Sequence, residues 1–214
     1  MTRLGAIVAA QIDAVLSDLS VQSIKLGVLF SPQIIQAVAS ALSAFRGAVV
    51  VDPVMIAKSG DALLQEDAVA ALIADILPRA DLLTPNLPEL EILAGHSLSD
   101  TGAIIEAALD IAKAYDCHVL AKGGHTQDAR VIDILVGPEG FLMQFDDARI
   151  DTRHTHGTGC TLSSAIATLV GHGQPMHHAI RLGRQFTRAA IENAPGLGDG
   201  NGPLGHQAVR RLEA

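Results

Sequence analysis

The chain has 214 residues, 49% of them apolar types and 18% charged, which suits one globular domain with a substantial core and excludes intrinsic disorder. With 15 basic and 23 acidic side chains the formal net charge is −8, and aromatic types reach only 3% with no Trp, so neither a polyanion-binding face nor a base-stacking platform is expected and no nucleic-acid partner is read. The two cysteines, Cys117 and Cys160, make no disulfide framework. No signal peptide and no apolar run of about 18 residues is read, so no membrane partner and a cytoplasmic location are expected.

Apolar periodicity alternates along the chain. Val8, Ile12, Val15, Leu16 and Leu19 have helical spacing, which predicts a helix from Ile7 to Leu19. Ser23 to Leu29 is short and apolar, a strand. Pro32 opens a helix that reaches about Phe45, and Gly47 closes it. Ala48 to Val51 is a continuous apolar run stopping at Asp52-Pro53, as a buried parallel strand reads where its carboxyl end meets a loop. Leu63 to Leu77 is helical up to Pro78, and Asp81 to Thr84 is a short strand. Helices follow at Leu87 to Ala94 and Gly102 to Tyr115, then a strand from Cys117 to Ala121. Val131 to Val136 and Gly140 to Phe145 are strands joined by the hairpin signal Gly137-Pro138-Glu139-Gly140. Two more helices run from Thr161 to Val170 and from Met176 to Ile191. The pattern predicts one α/β domain over 1–214, a three-layer α/β/α arrangement with a mostly parallel sheet. Ligands bind such sheets beyond the carboxyl ends of the strands, where Asp52-Pro53, Thr84-Pro85-Asn86 and Lys122-Gly123-Gly124 all fall.

The segment His154-Thr155-His156-Gly157-Thr158-Gly159-Cys160-Thr161 leads straight into an apolar helix. Unpaired N–H groups at a helix start, approached closely through glycines, make an anion site. A capped Gly-rich connector reads the same way. Cys160 sits in the first turn, where the helix dipole favours negative charge, and it suits a general base or nucleophile as well as a small packing residue. Asp52 and Glu89 are carboxylates at one sheet edge that can hold Mg2+ through waters, or serve as a cap and a helix-dipole partner. Lys122 and Lys58 each precede glycine-containing turns and can neutralise phosphate. His154 and His156 lack the spacing of a zinc site.

In order, Val51-Asp52-Pro53-Val54-Met55-Ile56-Ala57-Lys58-Ser59-Gly60, Leu83-Thr84-Pro85-Asn86-Leu87-Pro88-Glu89, Lys122-Gly123-Gly124-His125 and His156-Gly157-Thr158-Gly159-Cys160-Thr161 closely resemble the hydroxymethylpyrimidine/phosphomethylpyrimidine kinases of thiamine biosynthesis, which are ribokinase-like enzymes. The tail from Gly198 to His206 is similar to theirs as well. The resemblance implies an ATP- and Mg2+-dependent kinase acting on hydroxymethylpyrimidine and its monophosphate. It implies that Gly157, Thr158 and Gly159 form an anion hole, that Cys160 is the catalytic base, and that Asp52 and Glu89 lie near Mg2+. Lys122, Thr155, Asn86 and Lys58 are implied near the nucleotide. A homodimer is a further implication. The family pattern normally starts with a strand and a Gly/Ser-rich loop, on the order of 50 residues, more than one βαβ unit, ahead of the first helix here. The expectation is therefore a chain given incompletely or naturally short, with substrate contacts affected more than the phosphate site. A pyridoxal kinase-like activity and an inactive binding or scaffold homologue are the alternatives.

Overall fold

The computed structural model describes residues 3–56, 63–124 and 129–209. Among the described residues six strands lie side by side in chain order: β1 (Ser23–Leu26), β2 (Ala48–Val51), β3 (Leu82–Leu83), β4 (His118–Ala121), β5 (Arg130–Gly137) and β6 (Gly140–Ala148). β1 to β4 are parallel, while β5 and β6 are antiparallel to their neighbours, as the hairpin signal requires. The helices are α1 (Arg3–Asp18), α2 (Pro32–Ala41), α3 (Glu66–Ala71), α4 (Leu87–Ala94), α5 (Thr101–Tyr115), α6 (Thr158–Gly171) and α7 (Met176–Glu192).

Alternate residues of β2 explain the layers. Val49 and Val51 face one core, shared with Ile35 and Val38 of α2, Ala68 of α3 and Ala108 of α5. Val50 faces the other, shared with Leu162 and Ile166 of α6 and Ile180 of α7. A strand buried on both sides must be apolar throughout, and β2 is. The three-layer α/β/α expectation holds.

Several elements are shorter than their periodicity suggests, and three of them show how the chain departs from it. The helix expected over Leu63 to Leu77 is regular only as α3. It continues as a π turn, Leu72–Ile76, and a 3-10 turn, Leu77–Arg79. Pro78 is the cause: it offers no N–H, and its ring crowds the carbonyl four residues back. The Leu77 N–H accordingly bonds to the Leu72 carbonyl, one residue beyond α spacing. α2 stops at Ala41 instead of Phe45: the Ser43 and Phe45 N–H groups bond three residues back, to Ser40 and Leu42, and the Arg79 guanidinium caps the Leu42 and Phe45 carbonyls. β1 stops at Leu26 instead of Leu29: the Asp52 N–H makes the last bond to it, at the Leu26 carbonyl, and the next donor on that side, the Val54 N–H, turns back to the Asp52 carbonyl at 2.8 Å. No helix among the described residues is long and apolar enough to cross a membrane.

Candidate active site

The carboxyl ends of β2, β3 and β4 converge on one buried carboxylate. Asp52 follows β2 and is 1% exposed. Its Oδ1 accepts a bond from Lys122 Nζ at 2.8 Å and one from the Thr84 hydroxyl at 3.2 Å. Its Oδ2 accepts the Ser163 hydroxyl at 3.3 Å, and Lys25 Nζ lies 3.8 Å away. Four such partners compensate a buried carboxylate, whereas the loss of one leaves charge uncompensated. Lys122 follows β4. Its own N–H bonds to the Pro85 carbonyl at 2.9 Å, which ties the loop after β4 to the loop after β3.

Asn86 and Glu89 open α4 with a reciprocal cap. The Asn86 side chain accepts the Glu89 N–H at 2.9 Å, and the Glu89 carboxylate accepts the Asn86 N–H at 2.8 Å. Pro88 in the first turn presets the helical backbone. Glu89 is 2% exposed, and burial pushes its carboxyl up to about 7. Lys122 and the Asn86 and Met55 N–H groups pull it down, and the Asp52 charge adds to the rise. The two carboxylates therefore feel each other. That repulsion is the kind a divalent cation relieves, and the hard oxygen donors suit hydrated Mg2+. No cluster of three or more His, Cys, Asp or Glu ligands exists among the described residues, so waters and phosphate oxygens would complete the shell.

The first turn of α6 lies against the Asp52–Lys122 pair. Gly157 has φ of 79°, a left-handed conformation that glycine adopts freely, and it turns the chain into the helix. The first helical bond runs from the Thr161 N–H to the Gly157 carbonyl at 2.8 Å. The N–H groups of Thr158, Gly159 and Cys160 thus precede the helical ladder. Gly159 permits the close approach: a methyl group there would stand 3.3 Å from Lys122 Nζ and 3.6 Å from Asp52 Oδ2. Ser163, one turn on, locks the helix to Asp52 while also bonding to the Gly159 carbonyl at 2.9 Å. Cys160 is exposed. It faces a cleft of about 690 Å³ that also meets His156, Thr161, Phe186, Leu204 and His206. There Thr161 Oγ1 and His206 Nε2 are 2.8 Å apart.

The structure thus brings Asp52, Asn86, Glu89, Lys122, Gly157, Thr158, Gly159 and Cys160 to one edge of the sheet. Thr155 joins through its carbonyl, which accepts the Thr158 hydroxyl at 2.8 Å. Lys58 lies outside the described residues. Cys117 is a packing residue, 2% exposed, with its thiol pushed up to about 12 by burial and the nearby Asp81 and Asp116 charges. Sequence reasoning did not single out Lys25, Ser163 or Asp133. Asp133 had a visible signal, a lone acid inside the apolar run Val131 to Val136.

The profile of the phosphomethylpyrimidine kinase family matches residues 4–205. The hydroxymethylpyrimidine/phosphomethylpyrimidine kinase of Bacillus subtilis is 40% identical over 202 residues, 94% of this chain and 74% of that protein. A thiamine biosynthesis bifunctional protein of Geobacter sulfurreducens is 44% identical over 94% of this chain, which spans only 41% of its length. The crystal structure of phosphomethylpyrimidine kinase from Clostridium difficile superposes with a TM-score of 0.76 at 33% identity, covering 87% of this chain and 76% of that one. Pyridoxal kinase from Staphylococcus aureus in complex with AMP-PCP gives a TM-score of 0.85 at 29% identity, covering 95% and 74%. The ribokinase-like α/β architecture implied by the motifs is the one observed.

Proposed function

The chain belongs to the phosphomethylpyrimidine kinase family, and from that membership we propose that it moves the γ-phosphoryl group of ATP to the hydroxymethyl group of hydroxymethylpyrimidine, and then phosphorylates the monophosphate, in thiamine biosynthesis. The observation that carries this reading is the first turn of α6 set against the buried Asp52–Lys122 pair. Phosphoryl transfer depends mainly on positioning and on stabilising charge at the transferred oxygens. The N–H groups of Thr158, Gly159 and Cys160 would supply aligned donors at the positive end of the helix. Lys122 would turn its ammonium from Asp52 toward the phosphates. Lys58, Asn86 and Thr155 would line the nucleotide's path. Cys160 would take the hydroxyl proton as the oxygen attacks the γ-phosphorus and the bond to ADP breaks. Mg2+, held through waters by Asp52 and Glu89, would neutralise phosphate charge.

The high structural similarity to pyridoxal kinase supports a second reading, in which pyridoxal is the phosphate acceptor. ADP release measured with hydroxymethylpyrimidine and with pyridoxal separates the two. Faster turnover with the pyrimidine is expected. Release stimulated by neither alcohol, in a folded preparation that binds ATP, would assign the chain to a binding or scaffold role. The two unpaired thiols suit a reducing cytoplasm. A homodimer is part of the same reading, and light scattering on the eluting protein tests it.

A further inference from the structure

Behind the proposed phosphate site lies a buried ionic clasp with no part in the chemistry above. Asp133 of β5 is 4% exposed and Arg184 of α7 is 7% exposed. Asp133 Oδ1 accepts the Gly123 N–H at 2.8 Å, and Asp133 Oδ2 pairs with the Arg184 guanidinium. Arg184 also holds Asp147 Oδ2 of β6 at 2.6 Å, and it lies 5.1 Å from the centre of the Phe145 ring. Burial lowers the Arg184 guanidinium to about 10, so it stays charged at neutral pH.

Gly123 directly follows Lys122 and lies close against the backbone of β5. A methyl group at Gly123 would stand 1.9 Å from the Ile132 carbonyl oxygen. On its other side, Lys122 is fixed by its N–H bond to Pro85. The backbone that aims Lys122 is therefore held at both ends, once by the β3 loop and once by Asp133. Only a carboxylate can do what Asp133 does. It offers one acceptor to Gly123 and another to Arg184, whereas Asn offers a single oxygen and sets its amide protons against one of two donors.

We propose that Asp133 and Arg184 are positioning residues for Lys122: the clasp across β5, β6 and α7 fixes the Gly123 amide and thereby the direction of the Lys122 side chain toward the nucleotide phosphates. This rests on the reading of Lys122 as a phosphate-facing residue.

The test is a double-mutant cycle read as the Kd of AMP-PCP with Mg2+, measured by calorimetric titration of the full chain. Lys122→Met alone is expected to weaken binding about tenfold, the scale of one hydrogen bond to a charged group. Asp133→Asn alone, close to isosteric, is expected to weaken it about five- to tenfold. The two together should bind no more weakly than Lys122→Met alone, within about twofold, because the clasp acts through Lys122. Arg184→Lys, which keeps the charge and loses the planar fork, is carried through the same cycle as the milder variant. A purely structural clasp would lower the melting temperature and leave Kd untouched below it. Additive effects, or a Kd within about twofold of the parent in folded Asp133→Asn and Arg184→Lys, overturn the proposal. So does failure of both variants to fold, which would assign the clasp to folding alone. If Lys122→Met itself changes nothing, the phosphate-site reading fails and takes this proposal with it; if only the clasp variants are silent, the site stands and the clasp role falls.

Discussion

Glu89 should make the protein less stable as pH rises through the weakly acidic range. Its carboxyl is raised from 4.5 to about 7, mainly by burial. Below about pH 4.5 the folded and unfolded states both carry the proton. Between about 4.5 and 7 the unfolded chain has released it and the folded chain still holds it, so folding is progressively disfavoured as pH rises. Above about pH 7 both states are ionised and the loss is complete. One pKa unit is worth about 1.4 kcal/mol, so the drop across the window is about 3 kcal/mol. The chain carries many other ionisable groups, nine histidines among them. The informative quantity is thus the difference between the parent and Glu89→Gln, which cannot titrate. Urea unfolding followed by circular dichroism from about pH 4.5 to 8 should show that difference shifting by about 3 kcal/mol in favour of Glu89→Gln, then levelling off. Added Mg2+ should reduce the shift, because a cation near the carboxylates favours the ionised form. A difference constant within about 0.5 kcal/mol across the window would refute the argument that burial outweighs Lys122 and the two N–H donors.

Cys160→Ala should lower turnover about 100-fold or more while the Kd for an ATP analogue stays within about threefold; unchanged turnover would exclude Cys160 as the base. Gly183→Ala should destabilise the fold by about 1–3 kcal/mol, read as a lower melting temperature, because the added methyl would stand 2.8 Å from Ile166 Cγ1 where α7 crosses α6. Asn86→Ala removes the cap that α4 receives and should cost about 1 kcal/mol in urea unfolding, with a weakened response to Mg2+ because the Glu89 carboxylate loses its ordered surroundings.

Local signals were legible in the sequence where local physics decides the outcome. The bounds of α4 follow from a cap residue, an early proline and Gly95, whose φ of 77° ends the helix. β2 follows from an apolar run halted by Asp52-Pro53. The start of α6 at Thr158, set by Gly157, comes three residues ahead of the Thr161 that apolar periodicity suggests, because a helix begins with its backbone turn and not with its first core residue. The π turn at Leu72–Ile76 was not legible. A Pro78 that ends one helix and a Pro78 that widens its last turn have the same local sequence, and packing of Leu72 and Ile76 into the core decides between them. Nor was the bond from Ser163 to Asp52 legible, since Ser163 stands 111 residues away along the chain. Ser163 reads as an ordinary polar residue until α6 brings its hydroxyl to the carboxylate that Thr84 also meets.

The charges at this edge fit a polyanion in two ways, and Glu89 separates them. With Glu89 protonated, Asp52 faces Lys122 and Lys25, and the cluster carries one net positive formal charge, which suits phosphate alone. With Glu89 ionised the cluster is formally neutral, and a hydrated divalent cation can enter together with the phosphates without a build-up of like charge. A carboxyl raised to about 7 is divided between these states near neutral pH. Arrival of nucleotide with its cation should therefore expel part of a proton at this site. On the proposed reading, burial that costs stability would thus keep the site matched to a ligand whose charge depends on whether a metal comes with it.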